Sequence, residues 1–249
     1  MYLLEKDFYS KAQPIFKNML DYETTVRVAF NDKTAPCEMY ADDLKNPQSA
    51  CFIMNWGGYK PCYFSGRYNQ TFVYSCLEHL LASPKFSPIF AEIELLNEID
   101  KLLSEFRAEL FCNYGEGHKH ERRKRLYYKL NIEKFYKNKV IEAPENYELV
   151  LNTEKENERM VLLCDGKEAG HCNGSYKPEV EEINLDIFIE DEHRKKGLGT
   201  LICTKLIEYH LSQNREYITW GCWDINGPSI KLGEKLGFEL IREDDILFC

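Results

Sequence analysis

Apolar residues at Leu3, Phe8, Ala12 and Phe16 recur at helical spacing, and Pro14 predicts a break or bend there. The β-branched run from Thr24 to Phe30 predicts a strand. Residues 50–55 and 61–64 read as strands on either side of Trp56-Gly-Gly-Tyr59, a hairpin signal. A helix follows over Gln70–Leu81 and stops at Ser83-Pro84. Ile89–Leu95 predicts a strand, Asn97–Leu110 a helix capped by Asn97, and Leu126–Leu130 another strand. This half is mixed α and β with its own core, and it contains no exact internal repeat.

The second half has a clearer rhythm. Strands are predicted at Tyr147–Leu151, Met160–Cys164 and Glu168–Gly174, the last two joined by Asp165-Gly166, a strong two-residue turn. Ile183–Ile189 is a strand with a nearly continuous apolar end. Leu198, Leu201, Ile202, Leu206 and Tyr209 then form one apolar helical face. Glu216–Trp223 reads as a strand, Pro228–Leu236 as a short helix with Pro in its first turn, and Phe238–Ile241 as a strand after Gly237. Residues 138–146, with Pro144 and few periodic apolar positions, set the expected boundary between domains 1–140 and 141–249.

Composition narrows the class. Of 249 residues, 44% are hydrophobic and 29% charged, enough for a buried core and unlike a disordered chain. No apolar run reaches the ~20 residues of a membrane span. The first residues lack the basic flank and apolar stretch of a secretory signal. Ten cysteines without a CxxC pair predict reduced thiols in a cytoplasmic protein and no metal centre. Residues 141–249 carry 23 acidic and 12 basic side chains, against 18 and 20 in residues 1–140. At a net charge of −9, the chain is a poor general nucleic-acid binder, and its acidic half suits a cationic small molecule.

The chemistry concentrates at Arg194-Lys-Lys-Gly-Leu-Gly-Thr200, between a strand and a helix. Two glycines one residue apart let backbone N–H groups turn toward an anion, and the helix start adds unpaired amides and a positive dipole end. Arg194, Lys195 and Lys196 add charge, Thr200 a hydroxyl, and a pyrophosphate would fit. A capped helix with a solvated basic turn is the plainer alternative. Neither a Walker loop nor a full GxGxxG fingerprint is present.

Arg194-x-x-Gly197-x-Gly199 after an apolar strand resembles the acetyl-coenzyme A loop of the GNAT superfamily of N-acetyltransferases. A second element, Trp223-Asp-Ile-Asn226-Gly-Pro-Ser229 leading to Glu234-Lys-Leu-Gly-Phe238, resembles that family's asparagine and the helix after it. Together they cover about residues 160–242. Asp42–Ser49, paired with Trp-Asp-x-Asn, resembles bacterial GNAT-like proteins with an extra N-terminal α/β domain. The implied fold is α/β: a C-terminal GNAT-type domain with a mixed central sheet, preceded by a smaller N-terminal α/β domain, readable as a degenerate GNAT-like half shaping the acceptor site.

The resemblance implies an acetyl-coenzyme A-dependent N-acetyltransferase acting on a primary amine, of a small molecule or a peptide. Ile187, Phe188 and Ile189 would bind the pantetheine arm by strand-like backbone bonds. Residues Arg194, Lys195, Lys196, Gly197, Leu198, Gly199 and Thr200 would hold the pyrophosphate. Asn226 would contact the arm or order the site, with Ser229 beside it. Glu182 and Asp186, four apart on one strand face, are the candidate bases. The alternative is a solvated acidic edge made with Glu179 and Glu181.

Two departures from the family pattern stand out. Gly233 occupies the position of the tyrosine that protonates the thiolate in many members, leaving Ser229, Cys222 and Tyr209 as surrogates. Only eight residues separate Leu151 from Met160, too few for the helical pair that usually shapes the acceptor pocket. A non-catalytic acyl-coenzyme A binder or sensor is therefore the alternative function, and an interaction protein that kept only the fold is a third. His118–Arg125 reads as a solvated basic loop. The sequence leaves the oligomeric state open, a dimer included.

Overall fold

The computed structural model describes residues 1–21, 23–56, 58–83, 87–115, 117–137, 142–154, 157–177 and 181–249. Part of the expected boundary segment, residues 138–141, lies outside this set, as do Pro84 and Glu179. The chain forms two compact units, Met1–Lys124 with Asp245–Cys249, and Arg125–Asp244. They are close in length, so the first is not the smaller domain that the sequence suggested. The division also falls well before residue 140. Residues 125–129 pair with a strand of the second unit, and Phe135 belongs to the second unit's core. The Pro144 segment marks a connection inside that unit.

In chain order the first unit contains β1 (Tyr2–Leu4), α1 (Tyr9–Ala12), α2 (Lys17–Leu20), α3 (Thr24–Asn31), β2 (Cys37–Ala41), β3 (Ser49–Met54), β4 (Cys62–Gly66), α4 (Gln70–Leu81), β5 (Pro88–Phe90), α5 (Ile93–Glu105) and α6 (Arg107–Leu110). Strand β6 (Glu121–Leu130) crosses the division, and α7 (Ile132–Lys137), β7 (Tyr147–Glu154), β8 (Asn157–Cys164), β9 (Lys167–Lys177), β10 (Glu182–Ile189), α8 (Leu198–Ser212), β11 (Ile218–Trp223) and α9 (Gly227–Leu236) follow. The last strand, β12 (Phe238–Phe248), ends in the first unit.

Both units share one pairing scheme. In the first, β1, β2, β3 and β4 form antiparallel ladders, β4 and β5 run parallel, and residues 246–248 pair antiparallel with β5. In the second, β7, β8, β9 and β10 are antiparallel, β10 and β11 parallel, and residues 125–129 pair antiparallel with β11. Helices α4 and α8 make the crossovers of the parallel pairs, as such connections require. The repeat is topological and leaves no sequence copy.

Several elements depart from the sequence expectation. Thr24–Asn31 is a helix, because Glu23 accepts a bond from the Thr25 amide and Val26 and Ala29 bury one stripe. Local β-branching is outweighed by capping and packing. The strand expected over 89–95 stops at Phe90, and helix α5 starts at Ile93, so Asn97 sits inside it rather than at its cap. The start of the chain is a strand followed by short helical turns, one with Pro14 near its start. Strand β12 runs on to Phe248 through the charged stretch that hid it.

No described helix is long and apolar enough to cross a membrane, and no described group of His, Cys, Asp and Glu is arranged to hold a metal ion. All ten cysteines are free thiols, most of them buried.

His210 of α8 is fully buried, and neither ring nitrogen has a hydrogen-bond partner. Burial lowers its pKa from 6.5 to about 4, against the opposing pull of Glu158. The unfolded chain therefore takes up a proton below pH 6.5 that the folded chain refuses. Stability conferred by the neutral ring is complete above pH 6.5 and is lost as pH falls toward 4, by on the order of 3 kcal/mol. Urea unfolding across this range should show the decline, and His210→Met should flatten it.

Candidate functional site

The second unit opens at its parallel pair. Strands β10 and β11 are in register only at Ile183↔Ile218, Asn184↔Thr219 and Leu185↔Trp220. Beyond that, residues 186–189 stay paired to β9, and residues 221–223 stay paired to β6. The inner edges of both strands are thus left open, with peptide groups available to an added partner. Ile187 and Ile189 pack toward the core, while Phe188 points to the opposite face and tilts against His171. These three residues form the open edge.

At the end of β10 the chain makes one 3-10 turn, Asp191–His193, before α8. Arg194 Nε donates to the Ile189 carbonyl at 2.8 Å, and its guanidinium pairs with Asp191. Arg194 thus clamps the turn to the strand. Lys195 and Gly197 both adopt positive φ, at 61° and 80°. Gly197 is the N-cap of α8, and no side chain caps the helix, so the first amides face outward. A Cβ on Gly199 would touch Ile187 Cδ1 at 3.4 Å and Leu232 Cδ2 at 3.5 Å, so this glycine faces the gap between β10 and α9. Leu198 is buried in the core and Thr200 half-buried beside it. Tyr147 is bonded to His193 Nδ1 at 2.8 Å and accepts from Lys196 at 3.5 Å, which ties β7 to the turn. Sequence reasoning missed this tie, since 46 residues separate Tyr147 from His193.

The two candidate bases occupy different settings. Glu182 is 2% exposed and accepts from Thr219 Oγ1 at 2.7 Å; Thr219 in turn accepts from Asn184. It lies at the closed end of the pair. Asp186 is exposed where the strands part, and Asn173 Nδ2 donates to both its oxygens, at 3.0 and 3.3 Å. They share a sheet face, but four residues of strand put them roughly 13 Å apart along it.

Asn226 caps α9 by accepting from the Ser229 amide. Ser229 Oγ accepts from Trp220 Nε1 at 3.1 Å. Gly233 is buried, and a Cβ there would meet Trp220 Cδ1 at 3.3 Å, so the indole fills the space beside it. Burial pushes the Cys222 thiol up, so it stays protonated at neutral pH. Tyr209 lies against the core and the His210 ring. None of these surrogates stands in the 233 position.

The equivalent turn of the first unit is closed. There the Arg67 amide donates to Gln48 O, Ser49 Oγ donates to Arg67 O, and Asn69 caps α4 with its own side chain. The His118–Arg125 run is also not a free basic loop. From Glu121 it is strand, and Arg122 is held by Asp100, Asn97 and Asp245.

The sequence model of the GNAT acetyltransferase family matches residues 171–247, the segment that contains this open pair and the turn after it. Residues 171–247 are a GNAT acetyltransferase domain. The family is one of acyltransferases. The GNAT domain begins inside β9 and takes in every candidate site residue named above for coenzyme binding. A GCN5-related N-acetyltransferase-like protein from Streptococcus suis aligns over 96% of this chain and 98% of its own, at 18% identity and a TM-score of 0.65. A tandem GNAT protein of the clavulanic acid biosynthesis pathway aligns over 99% and 96%, at 13% identity and 0.64. A Drosophila protein aligns over 99% and 97%, at 11% identity and 0.65. At these identities the likeness shows the fold, and it extends over both units. No curated protein matches the chain.

Proposed function

We propose that the protein is an acetyl-coenzyme A-dependent N-acetyltransferase in which a primary amine attacks the thioester directly. The observation that carries this reading is the open edge at residues 186–189, ending at an uncapped helix start. The cofactor supplies an activated acetyl thioester when bound. Residues 187–189 would offer backbone donors and acceptors to its arm, and the unpaired amides of residues 197–200 would hold its pyrophosphate. Lys195 and Lys196 add positive charge there in an acidic unit. Asn226 keeps α9 fixed at the mouth of the opening.

Attack requires a neutral amine. Asp186 lies where the strands part and is exposed, so it can take the proton directly or through one water. Asn173 holds its carboxylate in place. Glu182 is bonded within the sheet and is assigned to structure. With Trp220 filling the space beside Gly233, water supplies the proton that the leaving thiolate needs. The first unit repeats the pairing scheme with a closed turn, which supports a degenerate GNAT-like half that holds no cofactor.

Calorimetric titration with acetyl-coenzyme A, of the wild type and of Gly199→Glu, tests the cofactor assignment. The variant puts bulk and negative charge into the gap between β10 and α9. Micromolar binding by the wild type and its loss in the variant are expected, with free coenzyme A released when an amine acceptor is added. A folded wild type that does not bind would contradict the assignment. Tight binding without turnover of any amine would favour the acyl-coenzyme A sensor, for which the blocked 233 position is the specific argument.

A further inference from the structure

We infer that the acceptor amine also carries a carboxylate, received by Arg125, while Asp186 receives its ammonium group. This rests on the acetyl-transfer reading above and names the substrate class of that same site.

Arg125 lies in β6 opposite Trp223 of β11, and paired residues share a sheet face. On β11 the residues of that face are Thr219, Gly221 and Trp223; Trp220 and Cys222 face the core. On β10 the same face carries Glu182, Asn184, Asp186 and Phe188, as the Asn184–Thr219 bond confirms. Arg125 and Asp186 therefore stand on one face, on either side of the opening.

The Arg125 side chain reaches across β11 toward that opening. Its Cζ is 4.6 Å from the centre of the Trp223 ring and 6.0 Å from that of Tyr127. A Cβ on Gly221 would fall 2.3 Å from its Nη2 and 2.9 Å from its Cζ, so the guanidinium lies directly over the bare backbone there. Gly221 is the first β11 residue past the last paired position, as Asp186 is on β10. The absence of a side chain at 221 is what lets the cation reach the lip.

The guanidinium is uncompensated. Arg122, Arg159, Arg194 and Arg215 each hold a carboxylate. Among the described residues Arg125 makes no ion pair or hydrogen bond; the Trp223 and Tyr127 rings and the bare Gly221 backbone lie against it, and the Cys222 thiol is near enough to feel its charge. With its charge over the Trp223 ring and no hydrogen bond made, the guanidinium keeps its N–H donors for a carboxylate, which it can bind with two parallel bonds. An unpaired cation on one lip and an exposed carboxylate on the other match the two ends of an amino acid.

The test compares free amino acids with their carboxamides as acceptors, reading coenzyme A thiol release, with acetyl-coenzyme A binding measured alongside by calorimetry. The wild type should prefer the acid over its amide by about 10- to 100-fold in kcat/KM. Arg125→Gln should abolish that preference by losing the acid alone, with transfer to the amide and acetyl-coenzyme A affinity unchanged. Arg125→Lys should restore part of it. A purely structural Arg125 would lower both acceptors equally, and that result overturns the proposal. So does acetyl-coenzyme A binding with acids and amides used alike, or with neither used. If acetyl-coenzyme A does not bind the folded wild type, the cofactor reading itself fails and takes the substrate class with it.

Discussion

Asp186→Asn is expected to lower the rate of acetyl transfer by about 100-fold or more while leaving acetyl-coenzyme A affinity unchanged. The substitution keeps the shape and the hydrogen-bond partner, since Asn173 can pair with an amide oxygen as it does with a carboxylate. It removes the negative charge that receives the ammonium group and, with it, the ability to accept a proton. The remaining rate should rise with pH as more amine becomes neutral in solution. Glu182→Gln provides the contrast: its bond with Thr219 is buried, so the loss should appear in stability before rate. Steady-state kinetics with a saturating amine, beside urea unfolding of both variants, separates the two. Equal rate losses in both would remove the distinction drawn between the carboxylates.

The second large effect concerns Gly233. Restoring a tyrosine there would supply the acid that many family members use, yet Gly233→Tyr is expected to destabilise the protein by on the order of 4 kcal/mol. The phenol ring has no space beside an indole that is 2% exposed. Moving Trp220 also breaks its bond to Ser229. Gly233→Ala is the control. Its single methyl group meets Trp220 at 3.3 Å, and the gain in helix propensity offsets that contact to within about 1 kcal/mol. Urea unfolding of the two variants checks the difference. A stable and faster Gly233→Tyr would show that the site tolerates the tyrosine after all.

These two positions show what could be read in the sequence. The loop was legible because its chemistry needs residue types in fixed order: an apolar strand, then Arg194, Gly197 and Gly199, then an amphipathic helix. The period-two rule also put Glu182 and Asp186 on one face. It could not say that the ladder between β10 and β11 ends at Leu185 and Trp220, which separates a buried structural carboxylate from one at an open lip. Asn173, Tyr147 and Arg125 were invisible for the same reason, since each acts through strand register. Trp220 carried a faint signal: it alternates with Cys222 on the core side of a strand.

The fold was most legible where propensity and packing agree, as at Gln70–Leu81, which is a helix over those residues. It was least legible where they conflict. The run Thr24–Phe30 carries β-branched residues, but a buried stripe and a side-chain cap make it helical. Ile89–Leu95 alternates apolar residues with Glu92 and Glu94 in a strand-like rhythm, yet a strand and the first turn of a helix share it. The end of β12 was masked by Arg242–Asp245, and its pairing with β5 could not be inferred from any local pattern.

The central claim is that acetyl-coenzyme A adds to the open edge of β10 in the second unit. Hydrogen exchange with and without acetyl-coenzyme A tests it most directly. Amides of residues 186–200 should slow on binding, and those of residues 62–70 in the closed turn of the first unit should not change. Binding that protects the first unit, or leaves residues 186–200 exchanging as before, would contradict the account.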